Sequence, residues 1–220
     1  MNYLILNAMA QANIPPGILI ESHYLPCIEY FTVVNCFDHI IWEVEEHYVK
    51  QSYRNRCRIL TAQGPYELSI PIRHQAPKMK LKDVQIDYRQ KWVNHHWRSI
   101  RSAYGKAPFF EHYGDMFEAI YRREICFLVD LNYEFFDLCQ KLLGLKFSLI
   151  KNQSFTHEAP AGIQDWRSKI HPKKALKINP LYKPCNYNQI FGQKFVGNCS
   201  IIDLLFCEGP AAGDILMNCR

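Results

Sequence analysis

The sequence predicts one α/β domain, with a mixed sheet in its first half and helices in its second. Three observations carry that reading. Two short β runs flank a helix-spaced segment near the start, and a Gly-Pro turn joins two further runs. From Trp92 onward, apolar residues recur every three or four positions.

Ile14-Pro15-Pro16-Gly17 leads into the first β run at 18–20, so residues 1–17 read as an N-terminal extension and 18–220 as the domain. Ala8-Met9-Ala10 faintly resembles a signal-peptidase site, but no Lys or Arg stands before it. Pro26 stops the strand, residues 28–37 carry Ile28, Phe31 and Val34 at near-helical spacing, and 40–42 form the next strand. So short a strand–helix–strand unit favours parallel pairing, a Rossmann-like βαβ start. Runs at 56–60 and 66–72 flank Ala62-Gln63-Gly64-Pro65 and read as an antiparallel hairpin. Val84-Gln85-Ile86-Asp87 is a further strand candidate. Helices follow at 92–104, 109–125 and 127–143, closed by Gly105 and Gly144. Periodicity then fades over 148–183, a Lys-rich stretch with Lys151, Lys169, Lys173, Lys174, Lys177 and Lys183, which reads as a long surface loop. A loop of that length has a task such as covering a site, although its lysines also suit a plain solvated face. Ser200 is placed to cap a last helix through 201–206, stopped by Gly209-Pro210.

Composition narrows the function. The chain has 220 residues, 48% apolar and 21% charged, enough for one sizeable core and too apolar for long disorder. A net charge of +5 permits an anionic partner but lacks the dense basic stripe of a nucleic-acid binder. No apolar run reaches the roughly 18 residues of a membrane span. Nine Cys, an odd number with no CxxC among them, exclude complete internal pairing, a zinc ribbon and a thioredoxin motif. They read as reduced, buried thiols of a cytoplasmic protein. No metal site and no cofactor motif is evident.

Four segments carry chemistry. Glu21-Ser22-His23-Tyr24-Leu25-Pro26-Cys27-Ile28-Glu29-Tyr30-Phe31 sits where a strand becomes a helix, a place where α/β folds gather ligands. His23 there is a general base or phosphate donor with Tyr24 and Tyr30 as walls, or else a satisfied structural histidine. The segment 43–57 puts Glu43 beside Tyr48, Lys50, Arg54, Asn55 and Arg56. Its forks suit phosphate or carboxylate, and the competing reading is an internal ion-pair network. Trp92 and His96, four apart, share a helix face, whereas His95 and His96 point about 100° apart and do not share a metal. His96 is a substrate contact or proton carrier, or simply packed. Towards the end, Asp203 and Glu208 either reach the site or, the reading favoured, serve as a cap or an ion pair.

These segments resemble the WbqC-like family, associated with bacterial cell-surface polysaccharide loci. His23 to Phe31 is similar to its Gln-Pro-x-Tyr-x-Pro-x-x-Gly-Tyr-Phe segment, with Glu29 where Gly is common and no Gln-Pro before Tyr24. Glu43 to Cys57 resembles the family's acidic strand end followed by Arg-Asn-Arg. Trp92 to Phe110 resembles its Trp-x-x-x-His helix and Tyr-x-x-x-Pro-Phe-Phe turn, and 187–210 its closing pattern. The strand-to-helix placement also resembles nucleotidyltransferases with a His-x-Gly-His turn, but the second His is missing. The resemblance implies a transferase acting on a nucleotide- or lipid-linked sugar in surface-glycan (O-antigen, lipopolysaccharide) assembly. The competing class is a non-catalytic sugar- or nucleotide-binding partner. The expected site comprises His23, Lys50 and His96 as proton-transfer residues, with Tyr24, Tyr30, Glu43, Tyr48, Arg54, Asn55, Arg56 and Trp92 around the substrate. The expected partner is a phosphate-bearing small molecule such as a nucleotide sugar, and the oligomeric state is open.

Overall fold

The structure, a computed structural model, describes residues 17–73, 78–173, 179–192 and 194–220. The N-terminal extension up to residue 16 lies outside the described residues, as do Lys174 and Lys177.

Strand β1 (Gly17–Glu21), helix α1 (Ile28–Val34) and strand β2 (His39–Glu43) form the expected unit, with parallel pairing from Ile18 opposite Ile40 to Glu21 opposite Glu43. Every residue of β1 is buried. A strand covered on both faces needs a continuous apolar run, which Ile18-Leu19-Ile20 supplies. Strands β3 (Arg56–Thr61) and β4 (Gly64–Ser69) make the hairpin, in register from Arg56 opposite Ser69 to Thr61 opposite Gly64. The hairpin is a two-stranded sheet of its own and does not extend the parallel one. Gly64 takes φ 103 at the turn, a conformation glycine adopts without a Cβ penalty. Residues 84–87, expected as a strand, instead follow a 3-10 turn at Leu81–Asp83 and make only single bridges, Gln85 to Phe127 and Ile86 to Ile72.

Helices α2 (Trp92–Tyr104), α3 (Phe110–Tyr121) and α4 (Leu128–Leu142) lie where the three-and-four spacing places them. α3 stops four residues before the expected 125, and Glu124 takes φ 49 on the way to α4. The segment expected as one loop contributes two strands, β5 (Ser148–Lys151) and β6 (Ile163–Asp165). They pair in parallel with β2 and β1, giving a four-stranded parallel sheet of order β5-β2-β1-β6. Helix α5 (Ile201–Glu208) is buried along seven of its eight residues and ends at Gly209, and a short α6 (Ala212–Asn218) follows. Ser200 holds the cap position, but its hydroxyl donates to the Leu25 carbonyl at 2.8 Å instead of capping α5.

One aromatic core joins sheet and helices. Phe136 of α4 stacks on Phe31 at 5.2 Å and meets Trp42 edge-on at 5.2 Å, while Phe117 and Phe206 join α3 to α5 at 5.3 Å. No helix among the described residues is long and apolar enough to cross a membrane.

Candidate functional site

Because all four strands of the larger sheet run the same way, their carboxyl ends share one edge. β1 ends there at Glu21, β2 at Glu43 and β6 at Asp165. β2 and β5 lie to one side of β1 and β6 to the other, so the order reverses at β1, where open α/β sheets form their ligand crevices.

Glu21 is the hub of this edge. Its Oε1 lies 3.4 Å from His23 Nε2 and 3.5 Å from Arg54 Nη2, and its Oε2 accepts the Ser168 backbone N–H at 2.9 Å. Burial alone would raise its pKa, but His23, Arg54 and that N–H hold it down to about 2. His23 moves the other way: burial lowers its pKa, overcoming the pull of Glu21, so the ring is neutral. A neutral imidazole that donates Nε2–H to Glu21 carries its lone pair on Nδ1, which is buried and has no protein partner among the described residues. Arg54 is fully buried. Its Nε donates to Glu46 at 2.6 Å and its Nη2 to Ser168 Oγ at 3.3 Å, while Nη1 has no partner among the described residues. Burial pushes the Glu46 carboxyl up despite Arg54, helped by the charges of Glu21 and Glu43. One acceptor and one donor, both buried and unused, thus flank the same carboxylate.

Glu43, opposite Glu21 in register, is committed to structure. Its Oε1 accepts the backbone N–H groups of Glu45 (2.9 Å) and Glu46 (3.1 Å) and the Asn152 amide (2.7 Å). Its Oε2 meets Arg167 at 3.1 Å. Arg167 also grips Asp165 and donates to the carbonyls of Thr156 (2.7 Å) and His157 (3.0 Å). The chain on either side of β6, 152–162 and 166–168, therefore forms a strap at the strand ends, pinned by Asn152 and Arg167 to Glu43 and by Ser168 to Glu21. His171 stands close enough to His23 to lower its pKa further.

The structure brings some expected site residues together and separates others. His23, Arg54 and Tyr30 share the cluster. The Tyr30 ring sits 4.5 Å from His23, and its hydroxyl accepts from Trp42 and donates to the Glu21 carbonyl. Tyr48 is half-buried beside Arg54 and Arg56, and burial raises its pKa to about 12 against their positive charges. Arg56 lies at the rim, where Nη1 binds Glu67 at 2.8 Å and the buried Nε is unpartnered. Lys50 is exposed in the turn before it. Asn55 ties the hairpin base, donating to the Ile70 carbonyl at 2.8 Å.

Tyr24, Trp92 and His96 form a different group. Neighbouring side chains of an extended segment point to opposite sides, so Tyr24 turns away from His23 into the helices. There Tyr121 and Tyr24 share a short hydroxyl contact, Tyr24 hydrogen-bonds His96 Nδ1 at 2.9 Å, and His96 Nε2 donates to the Ser69 carbonyl at 3.2 Å. Trp92 meets His96 edge-on at 5.1 Å. Burial first, and His95 second, depress the His96 pKa to about 3. Tyr121, Tyr24, His96 and the Ser69 carbonyl thus form a chain of hydrogen bonds within the fold, whereas the buried Trp92 Nε1 has no partner among the described residues. Of the four residues expected to share a cleft, His23 and Arg54 meet on the buried Glu21, Arg56 lies at the rim of that cluster and Lys50 is exposed. Arg54's Nε and Nη2 face protein groups, so the network reading applies to it.

Glu21, Glu46, Asn152, Arg167 and Ser168 were not singled out from sequence as site residues. Glu21 ends the first strand, a position that marks it. Glu46 lies within the charged 43–57 segment, and Asn152, Arg167 and Ser168 belong to the strap, whose sequence has no periodicity to expose them. Among the described residues no three His, Cys, Asp or Glu side chains form an arrangement that could hold a metal ion.

Fold and site define a parallel-sheet α/β protein with a buried Glu–His–Arg cluster at its switch point. The chain belongs to the WbqC-like protein family, whose profile matches residues 21–179, from Glu21 through the strap. It is 24% identical to the uncharacterized protein Rv1507c of Mycobacterium tuberculosis (strain ATCC 25618 / H37Rv), over 92% of this chain and 97% of that one. No solved structure matches the chain significantly.

Proposed function

We propose that the protein is a transferase acting on a nucleotide- or lipid-linked sugar in surface-glycan assembly, with His23 as its proton-transfer residue. The observation that carries the reading is the unused pair around Glu21: the His23 Nδ1 lone pair and the Arg54 Nη1 donor, both buried at the carboxyl ends of parallel strands. Glu21, held ionised, orients the ring and stabilises the imidazolium that forms when Nδ1 takes a proton from an acceptor hydroxyl or amine. Arg54 Nη1 then faces the charge that develops on the reacting group. Carboxylates and imidazole suit sugar hydroxyls better than phosphates, so a phosphate end belongs at the rim, towards Arg56 and Lys50. The sugar substrate class follows from the family resemblance.

A second reading, a non-catalytic binder, is favoured by one observation: Arg54 Nε and Nη2, and the Arg167 fork, are already engaged by protein groups. Turnover separates the two. Nucleotide sugars should raise the melting temperature, and His23→Gln should fold and still bind while turnover falls about 100-fold or more. Ligand binding without product in the wild type supports the binder; no stabilisation by any nucleotide or lipid-linked sugar overturns both readings.

A further inference from the structure

We propose that the groove between helix α2 and the β3–β4 turn is a second ligand site, one that takes a small phosphorylated molecule carrying a ring. The groove encloses about 890 Å³ and runs along one face of α2, where Lys91, His95, Arg98 and Ser102 recur at helical spacing. The opposite wall is the hairpin turn from Thr61 to Tyr66, and Phe191 lines the groove as well.

The lining is chemically one-sided. It holds Lys91, Arg98 and His95 and not one Asp or Glu. Elsewhere on the surface several exposed cations are neutralised by a carboxylate, Arg122 by Glu118, Arg123 by Glu134 and Lys141 by Asp137. Lys91 and Arg98 are exposed and have no ion pair among the described residues. Two unpaired cations facing a concave, carboxylate-free wall attract an anion, and an arginine fork matches phosphate oxygens. Lys91 stands at the N-cap of α2, so the first-turn N–H groups of a 13-residue helix add to the same field.

The ring comes from the other wall. Tyr66 is 41% exposed yet held in place by a 3.2 Å hydrogen bond between its hydroxyl and His95 Nε2, which presents a fixed aromatic face. Phe191 is half-buried in the same lining. The site is separate from the strand-end cluster, since β3 runs between them and Arg56 to Thr61 spans roughly 17 Å. It therefore does not depend on the transferase reading. A polynucleotide is the poorer fit, because two unpaired cations neutralise few phosphates of a long backbone.

Calorimetry with uridine diphosphate, inorganic pyrophosphate and uridine as probes tests this. Uridine diphosphate should bind more tightly than pyrophosphate, and uridine most weakly. Arg98→Ala and Lys91→Ala should each weaken uridine diphosphate about tenfold, and Tyr66→Ala should weaken it while leaving pyrophosphate within about twofold. All three positions are exposed, so unchanged circular dichroism and melting temperature should accompany the losses. Arg56→Ala, at the rim where the strand-end reading puts a phosphate, should bind the probe as wild type does; loss of binding there instead would assign the probe to the strand-end cluster and overturn the groove. The proposal also fails if wild type ignores uridine diphosphate at millimolar concentration or if Arg98→Ala binds like wild type. A short single-stranded oligonucleotide binding more tightly than uridine diphosphate would sink it too.

Discussion

His95 and His96 show how one residue's step along a helix separates two environments. His96 faces inward, and its depressed pKa makes the fold sensitive to acid. The unfolded chain takes up a proton near 6.5 while the folded ring resists to about 3. Stability is thus fully present above pH 6.5 and falls by about 1.4 kcal/mol per pH unit below it. Glu21 has the same sign lower down: its stabilisation is complete above about 4.5 and disappears as pH falls towards about 2. Urea titrations at pH 7 and pH 5 check the histidine. His96→Gln should be less stable than wild type at pH 7 and show a flatter slope between pH 6.5 and 5; an unchanged slope would remove His96 as the cause. Arg54 gives a second expectation. Arg54→Met leaves Glu21 and Glu46 buried without their counter-ion and should cost about 3–5 kcal/mol in the same assay. Glu46→Gln, at a carboxyl already pushed towards its neutral form, should cost less.

At the scale of elements, legibility followed burial. β1, β2 and the helices α2 to α4 were readable because each carries an apolar run or stripe. β5 and β6 were not, being four and three residues long and largely exposed or half-buried. Such edge strands are organised by pairing with β2 and β1, and nothing in their own period announces it. The same gap hid Arg167 and Ser168, which follow β6. Gly209 was legible as a stop, but the structure adds a reason. It takes φ 53, and a Cβ there would lie 2.3 Å from the Phe109 ring. Gly209→Ala should therefore combine backbone strain with overpacking, a loss of roughly 2–4 kcal/mol by chemical denaturation. Gly144→Ala serves as the comparison. Its φ of 67 carries similar strain, but a Cβ meets nothing within 4 Å, so it should lose less.

For the molecule as a whole, the nine cysteines are unpaired and eight of them are buried or half-buried, leaving Cys126 exposed. Thiol titration should find nine reactive groups in denaturant without reductant, and Cys126 should react first in the native protein. A count of seven or fewer would mean that pairs form. The candidate site was legible only in its chain-local half. His23, Arg54 and Tyr30 could be read because strand ends and charge clusters are sequence features. The division of Tyr24 and His96 from His23 could not, since it depends on which side of the β1–α1 connection each side chain leaves.

The strap has a consequence for how the chain is made. Glu21, Glu43, Glu46 and Arg54 all emerge from the ribosome early, but the groups that pin them, Asn152, Arg167 and Ser168, come about a hundred residues later. Until β6 arrives, β1 is a bare edge with Gly17, Ile18 and Leu19 unpaired on one side, a template for joining another chain. Nascent chains shorter than about 165 residues should therefore need holding, and a release experiment shows it. A fragment ending before Ile163 should sediment as aggregate, while the full chain should stay in the supernatant.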